Sequence, residues 1–267
     1  MLISRFSHHG HVHYGLVEPM SAFFRVISGS IFERFEITDQ QVKKEEVTLL
    51  PPVTPRIIIG IGRNYRNHIA EIGESPPDRP AIFFKPSGSM IAHKQPILIP
   101  KWATRVDYEG ELGVVIGKKM KNVNDADVPD HIFGCTCFND VTERHIGSSG
   151  LINQDISKCC DTFGPCGPWI STDIDPDNTE LKTIVNGKIV QHDTTANTVF
   201  DVKRIVSEIS FFMTLLPGDL VITGTPGGIG PLQDGDIVEV DIEGIGRLSN
   251  PVQTEGKQTP DKDIRHA

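Results

Sequence analysis

The sequence has no run of eighteen apolar residues, the length that a membrane-spanning helix needs. Its first ten residues, from Met1 to Gly10, also lack the apolar segment of a secretory signal. Positive charge is scarce as well, since 26 basic residues face 35 acidic ones and leave a net charge of −9. The sequence therefore predicts a soluble, cytoplasmic protein whose partners are neither nucleic acid nor an anionic membrane surface.

The five cysteines are odd in number and include no Cys-x-x-Cys pair. This pattern favours reduced thiols over a disulfide framework. Cys135 and Cys137 alternate as on one face of a strand, which indicates small core residues. A zinc site is the weaker alternative, because the paired spacing of structural zinc ligands is missing.

Neither glycine-rich segment completes a nucleotide motif. The first, Ile59–Tyr65, has Tyr65 where the third glycine of a dinucleotide fingerprint belongs. The second, Gly224–Gly230, lacks the Lys-Ser/Thr ending of a phosphate-binding loop and precedes a strand, not a helix. Nucleotide binding is not expected.

The chain divides at a proline-rich connection. Residues 1–50 alternate short apolar runs with glycines and charges, which predicts a small β-rich N-terminal domain. Pro51–Pro55 is a stiff link, and residues 51–267 form the predicted main domain, with a loose tail from about residue 254. With 38% hydrophobic residues, this length can bury one sizeable core.

Within the second domain, strands outnumber helices. Apolar residues at helical spacing predict helices at 64–72 and, most clearly, at 201–215. β-rich runs bounded by Gly, Pro and Asp turns predict strands at 81–84, 97–99, 112–116, 133–138, 169–171, 181–185, 220–223 and 237–242. The expected class is α+β and β-rich, with a closed or folded sheet and few helices.

The most informative segment is Asp107-Tyr108-Glu109-Gly110-Glu111, which leads into a β-rich run. Glu109 and Glu111 are two residues apart, so a strand places both carboxylates on one face. Such like charges need a positive neighbour, and Mg²⁺ prefers carboxylate oxygens. On an edge strand the same pair would simply be solvated.

These residues and others in the same order resemble the fumarylacetoacetate hydrolase family over about residues 56–252. The matching segments are Gly62-Arg63-Asn64-Tyr65 with His68 and Glu71, Phe84-Lys85-Pro86, Asp107 to Glu111, Asn139 to Arg144, Lys158 with Asp161 to Pro165, Val185-Asn186-Gly187, and Leu216-Pro217-Gly218-Asp219 through Gly224-Thr225-Pro226.

The resemblance implies a mixed β-roll or barrel-like core, usually in a homodimer, that uses Mg²⁺ or Mn²⁺ to break a carbon–carbon bond in an oxo acid. It implies that Glu109, Glu111 and Asp140 are the metal ligands. It further implies that His68 and Glu71 activate water, as in the acylpyruvate hydrolase branch. Arg144, Lys158 and Thr225 match positions that line the substrate pocket.

Charge considerations agree with these roles. Three carboxylates around a divalent ion leave about one negative charge, so an anionic substrate needs cations nearby, which Arg63, Arg144 and Lys158 can supply. Arg144 could instead pair with a neighbouring carboxylate such as Glu143. His68 and Glu71 are three residues apart in the sequence, so a helix places their side chains next to each other. The glutamate can then orient the imidazole.

The predicted function is a Mg²⁺-dependent hydrolase that releases pyruvate from 2,4-dioxo acids, either acylpyruvates or 2,4-dioxo-3-deoxy sugar acids. The alternative keeps the metal site but decarboxylates oxaloacetate or an aromatic-degradation oxo diacid, or isomerises or dehydrates a related oxo acid. A third, less favoured possibility is a non-catalytic protein with a structural cation. The sequence departs from the family pattern at two positions, His145 directly after Arg144 and Gly147 where some relatives have glutamine. The identity of the substrate therefore cannot be copied from a relative.

Overall fold

The computed structural model describes residues 1–146 and 154–256. Most of this chain is extended. The strands are β1 (Leu2–His8), β2 (His11–Val17), β3 (Phe23–Gly29), β4 (Phe35–Lys43), β5 (Thr48–Leu49), β6 (Ile58–Gly62), β7 (Ala81–Lys85), β8 (Met90–Ile91), β9 (Ile97–Ile99), β10 (Val106–Tyr108), β11 (Gly110–Ile116), β12 (Ile132–Asn139), β13 (Thr142–Glu143), β14 (Gly164–Ser171), β15 (Glu180–Val185), β16 (Lys188–Thr194), β17 (Leu220–Ile222), β18 (Gly230–Pro231), β19 (Ile237–Ile242) and β20 (Gly246–Thr254).

Helices are few and short. The α-helices of the described residues are α1 (Arg66–Glu71) and α2 (Val202–Phe212), and 3₁₀ turns lie at Lys44–Glu46, Ser87–Ser89, Asp125–His131, Gln154–Lys158 and Thr195–Asn197. The β-rich α+β class is therefore confirmed. No helix in the described ranges has the length and apolar character to cross a bilayer.

A twelve-stranded sheet forms the body of the protein, in the order β4-β3-β2-β1-β14-β12-β11-β17-β6-β7, with β5 beside β1 and β8 beside β14. Its central strand, β11, is buried along its whole length, as its Leu112–Ile116 run predicts. Two smaller sheets accompany it, with the orders β13-β10-β18 and β16-β15-β19-β20-β9. The chain passes from a small sheet into the large one between β10 and β11.

Residues 1–50 form one end of the large sheet. Leu2 and Ile3 of β1 pair with Ser171 and Ile170 of β14. The same segment packs its own apolar cluster, which includes Phe6, Val17, Phe24, Val26 and Val42. It shares a sheet with the rest of the chain and has a core of its own, so the domain boundary at residue 51 stays a prediction.

Helix α2 covers the main core. Asp201 caps it by accepting a hydrogen bond from Arg204 N at 2.8 Å. Ile205 and Ile209 are buried in a cluster with residues of β11, β12 and β19. Phe212, which the helical spacing also assigns to the buried face, is 56% exposed because the helix ends there and its ring lies beside Arg79.

The remaining expectations concern the cysteines and the tail. All five cysteines are free, and Cys135, Cys137 and Cys166 are buried. Burial raises the pKa of Cys135 to about 12, so this thiol is protonated and packs as a core residue.

At the C-terminus, β20 extends to Thr254 through parallel pairing with β9. The part of the predicted loose tail beyond residue 256 lies outside the described residues.

Candidate active site

Three carboxylates meet where β10 passes into β11. Glu109 links these two strands, Glu111 is the second residue of β11, and Asp140 follows the last residue of β12. Antiparallel pairing sets Gly110 opposite Asn139, which brings Asp140 next to Glu109. The backbone closes this junction, since Asp140 N donates to Glu109 O at 2.8 Å and Glu109 N donates to Asn139 Oδ1 at 2.9 Å.

One oxygen from each of Glu109, Glu111 and Asp140 lies within 4.8 Å of the others, and all three side chains are buried. Burial, with Asp140 and Glu109 close by, raises the pKa of Glu111 well above its ordinary value. Asp140 Oδ1 is buried beside the ammonium group of Lys85. A buried, crowded set of three hard oxygen donors fits a divalent cation such as Mg²⁺ or Mn²⁺.

Lysines border the triad on one side. Lys158 Nζ lies 2.8 Å from Glu109 Oε2 and 2.5 Å from Asp140 Oδ2, and it also donates to Thr142 Oγ1 at 2.8 Å. Burial alone would raise the pKa of Glu109, because it disfavours the charged carboxylate. The positive charges of Lys158 and Arg144 outweigh this effect and lower the pKa of Glu109 to about 2. Lys85 is fully buried, with Nζ 2.9 Å from Asp140 Oδ1. Burial lowers the pKa of Lys85 despite that carboxylate.

The predicted arginines are placed differently from each other. Arg144 pairs with Glu109 and, through Nε at 2.8 Å, with Asp107. Asp107 is fully buried and also accepts from Arg105 Nε at 2.9 Å. Arg63, with a positive φ of 55°, lies at the mouth of the cavity and pairs with Glu74 at 2.5 Å. Arg144 therefore contacts the triad, whereas Arg63 faces its entrance.

Helix α1 carries His68 and Glu71, with His68 Nδ1 3.3 Å from Glu71 Oε2. Glu71 also accepts from Gly228 N at 3.1 Å. Asn67 Oδ1 accepts from Gly227 N at 3.0 Å. These contacts fix the short helix to the loop after β17. Because Nδ1 of His68 faces the glutamate, a proton on Nδ1 leaves the other ring nitrogen with a free lone pair.

Thr225 lies in the same loop and is tied to the triad segment. Its Oγ1 donates to Gly110 O at 2.9 Å and accepts from Gln191 Nε2 at 2.9 Å. Gln191 Oε1 accepts from Gly110 N at 3.1 Å and from Thr183 Oγ1 at 2.6 Å. A β-carbon on Gly110 would collide with the Thr183 hydroxyl, so only glycine fits between the two glutamates.

A cavity of about 630 Å³ joins these groups. Its polar wall includes His68, Glu109, Glu111, Arg144 and Lys158, with Arg63 and Thr225 also on the lining. Its apolar wall is formed by Ile61, Ile72, Ala81, Ile82 and Phe83. Lys158 Nζ lies 4.9 Å from the centre of the Phe83 ring, a cation–π contact that joins the two walls. The cavity combines cations, carboxylates and a base with an apolar flank.

Comparison with known families agrees with this geometry. A family model described as "Fumarylacetoacetate (FAA) hydrolase C-terminal" matches residues 57–253. The chain belongs to the fumarylacetoacetate hydrolase family. A second model, "Rv2993c-like, N-terminal", matches residues 1–52. Proteins of the fumarylacetoacetate hydrolase family are generally enzymes that act on small molecules.

Similar proteins include "Protein Rv2993c" of Mycobacterium tuberculosis, which is 42% identical over 91% of this chain and 98% of its own. The crystal structure of 2-hydroxyhepta-2,4-diene-1,7-dioate isomerase from Mycobacterium marinum is 40% identical, with a TM-score of 0.89 over 96% of this chain and 100% of that one. A maleylpyruvate hydrolase from Sphingobium sp. SYK-6, in complex with manganese(II) and pyruvate, is 26% identical, with a TM-score of 0.78 over 95% of this chain and 99% of that one.

Seven of the nine predicted site residues line this cavity. The other two, Glu71 and Asp140, lie beside lining residues, Glu71 next to His68 and Asp140 next to the two glutamates. The individual roles of all nine stay predictions. Sequence reasoning gave no role to Lys85, although the Phe-Lys-Pro segment marked it, and none to Asp107 or Gln191. These contacts join residues that lie 37 to 81 positions apart in the sequence, which no local pattern shows. Gly147, predicted to replace a glutamine of some relatives, lies outside the described residues.

Proposed function

We propose that the protein is a divalent-metal-dependent hydrolase that cleaves a carbon–carbon bond in 2,4-dioxo acids, either acylpyruvates or 2,4-dioxo-3-deoxy sugar acids, and releases pyruvate. The observation that carries this proposal is the pairing of His68 with Glu71 on the wall of the cavity that holds the carboxylate triad. A site that served only to hold a structural cation has no need of an oriented base.

Glu109, Glu111 and Asp140 would hold Mg²⁺ or Mn²⁺. When bound, the ion would supply Lewis acidity towards the carboxylate and 2-oxo oxygens of the substrate. Lys158 and Arg144 carry the positive charge that an anionic substrate needs beside three carboxylates. The manganese and pyruvate bound by the maleylpyruvate hydrolase support a metal and an oxo acid at this site.

His68 acts as the base in the proposed reaction. Its free ring nitrogen takes a proton from water, and the water oxygen bonds to C4 of the substrate. The C3–C4 bond then breaks, its electron pair stays on C3 as the enolate of pyruvate, and the imidazolium returns the proton to C3. Glu71 holds the ring through Nδ1 and stabilises the imidazolium. The products are a carboxylic acid and pyruvate.

The acyl group beyond C4 would lie against the apolar wall. Ile72, Ile82 and Phe83 line the cavity and offer a surface for alkyl or aryl groups. Arg63, 42% exposed at the rim, can contact a polar or charged end of a longer substrate. These residues favour acylpyruvates whose acyl group is apolar near the scissile bond.

A second candidate function uses the same base for proton transfer on carbon, in the tautomerisation or isomerisation of an oxo acid. It is favoured by the Mycobacterium marinum relative, whose description is an isomerase and whose identity, 40%, exceeds that of the maleylpyruvate hydrolase, 26%. In that reaction His68 would move a proton between carbon and solvent, and no carbon–carbon bond would break.

Isotopes separate the two functions. Hydrolysis of acetylpyruvate in ¹⁸O-labelled water, with Mg²⁺ present, is expected to place one solvent oxygen in the released acetate. Proton transfer alone would give no acetate, and oxaloacetate in D₂O would gain deuterium at C3 faster than it does without enzyme. Enzyme-dependent deuterium gain in oxaloacetate, without acetate release from acetylpyruvate, would replace the hydrolase proposal with the isomerase proposal. Homodimer formation and a cytoplasmic location remain predictions.

A further inference from the structure

The hairpin of β1 and β2 carries an imidazole cluster far along the sheet from the carboxylate triad. Four of the ten histidines fall within six residues, and we call them the hairpin histidines: His8, His9, His11 and His13. The turn between the strands has two residues, His9 and Gly10, with φ values of 49° and 81°. Two positive φ values define the tight type I′ turn, so the two strands meet in a fixed register.

Register places three of these side chains on one face. His8 pairs with His11, and Phe6 pairs with His13. Side chains alternate along a strand, so His8, His11 and His13 project from the same face as Phe6. Directly opposed residues hold their β-carbons about 4.5–5.5 Å apart, and diagonal ones are still within reach of long side chains. The backbone alone therefore gathers three imidazoles at the end of the hairpin.

The ring positions agree with the register. The ring centroids of His8 and His9 are 4.0 Å apart, and those of His8 and His13 are 6.5 Å apart. Two imidazoles on one ion hold their centroids about 5 Å apart, given metal–nitrogen bonds of about 2.0–2.1 Å. Rotation about χ1 moves a ring centroid, and rotation about χ2 then turns its nitrogens, so exposed rings can adjust to these distances. Phe6, which is fully buried, lies 5.7 Å from the His13 ring and steadies that side chain.

The rings are accessible and have no competing polar partner. His9 and His11 are exposed, and His8 and His13 are half-buried. Among the hydrogen bonds and ion pairs of residues 1–146 and 154–256, none involves a hairpin histidine side chain. Nitrogen lone pairs are therefore open to a ligand from solvent, unlike those of His192, which pairs with Glu180 at 2.7 Å.

We propose that the hairpin histidines bind one divalent transition-metal ion of borderline softness, the class of Zn²⁺ and Ni²⁺. Imidazole nitrogen suits these ions, whereas hard Mg²⁺ requires oxygen ligands. The two metal centres of the chain thus select different ions by donor type, nitrogen on the hairpin and oxygen in the cavity. This site does not depend on the proposed catalytic function.

The test measures Zn²⁺ bound to the untagged full-length protein by equilibrium dialysis, with excess Mg²⁺ present to occupy the triad. The double variant Glu109→Gln/Glu111→Gln serves as a second background that removes Zn²⁺ binding at the carboxylates. The expected result is one Zn²⁺ per chain in both backgrounds. His11→Gln/His13→Gln is expected to lower the affinity at least about tenfold, a loss of roughly 1.4 kcal/mol, while His192→Gln leaves it unchanged.

Ring ¹H–¹⁵N spectra provide a second readout that needs no activity. Zn²⁺ is expected to shift the ring signals of the hairpin histidines and to leave that of His93 in place. The single variant His11→Gln, at an exposed position, repeats the dialysis if the double variant does not fold. Zn²⁺ stoichiometry and affinity that are unchanged in the hairpin variants, or lost with the carboxylates alone, would overturn the proposal.

Discussion

Gln191 Nε2 donates a hydrogen bond of 2.9 Å to Thr225 Oγ1. Because Thr225 in turn donates to Gly110 O, this contact joins the β15–β16 hairpin, the loop after β17 and the backbone between Glu109 and Glu111. All four polar contacts of the Gln191 amide are made within the buried site. The amide thus positions the triad segment without lining the cavity.

Replacing Gln191 with Met keeps the side-chain length and removes both the donor and the acceptor. Gly110 N, Thr183 Oγ1 and Pro226 O would then lose a buried partner. We expect the free energy of unfolding to fall by about 1–3 kcal/mol, together with a lower affinity for Mn²⁺. Urea unfolding and Mn²⁺ titration measure the two effects. An unchanged Mn²⁺ affinity in a destabilised variant would limit Gln191 to a structural role.

Glu111→Gln removes one of the three carboxylates while keeping its size and its contact with Gly224 N. A ligand at about a hundred times its Kd stabilises the folded state by about 2.7 kcal/mol, so wild type is expected to melt at a higher temperature when Mn²⁺ is added. The variant is expected to lose this response. The exposed control Glu36→Gln is expected to keep it. An equal Mn²⁺ response in Glu111→Gln contradicts the assignment of the triad.

Lys158→Met is expected to change metal and substrate binding in opposite directions. Without the ammonium group beside Glu109 and Asp140, the triad is more negative and should bind Mn²⁺ more tightly. An anionic oxo acid loses its cationic neighbour, so kcat/KM should fall. Mn²⁺ titration and turnover of the same preparation compare the two. Weaker binding of both would mean that Lys158 supports the fold of the site instead.

His93 gives a pH-dependent contribution to stability away from the cavity. Burial, with Lys94 nearby, lowers its pKa to about 4, and its Nδ1 accepts from Ser249 N at 3.0 Å. The unfolded chain therefore binds the proton more strongly, so this contribution is complete above about pH 6.5 and is lost as the pH falls towards about 4. His93→Asn keeps an acceptor but does not titrate.

Urea unfolding of wild type and His93→Asn at about pH 7.5 and about pH 5 measures this difference. Wild type is expected to lose more stability than the variant between the two conditions. Because His93 is only partly buried, solvent weakens the effect, and its direction is the prediction. An equal loss in both proteins would show that His93 does not contribute to the acid sensitivity.

Periodicity predicted much of the fold. The strands predicted at 97–99 and 237–242 coincide with β9 and β19, and the amphipathic helix at 201–215 contains α2. The pattern failed at Phe212, because helical spacing does not show where α2 stops covering the core. The strand Lys188–Thr194 was missed, since its polar residues give no clear alternation.

The site was predictable only in part. The carboxylates and the His68–Glu71 pair follow from short spacing and from resemblance to the family. Lys85 was not assigned a role, because its partner Asp140 is 55 positions away and a single lysine gives no signal of burial. The role of Gln191 was missed for the same reason, since its contacts depend on how two sheets and the loop after β17 meet.

The most direct test of the proposed activity is pyruvate release from acetylpyruvate by wild type and His68→Ala, with Mg²⁺ and with EDTA. We expect metal-dependent release that falls by about 10²–10⁴-fold in His68→Ala, the usual contribution of a general base. His192→Ala, at an exposed histidine on the outer surface, is the matched control and should match wild type. Metal-dependent release that persists in His68→Ala would contradict the account.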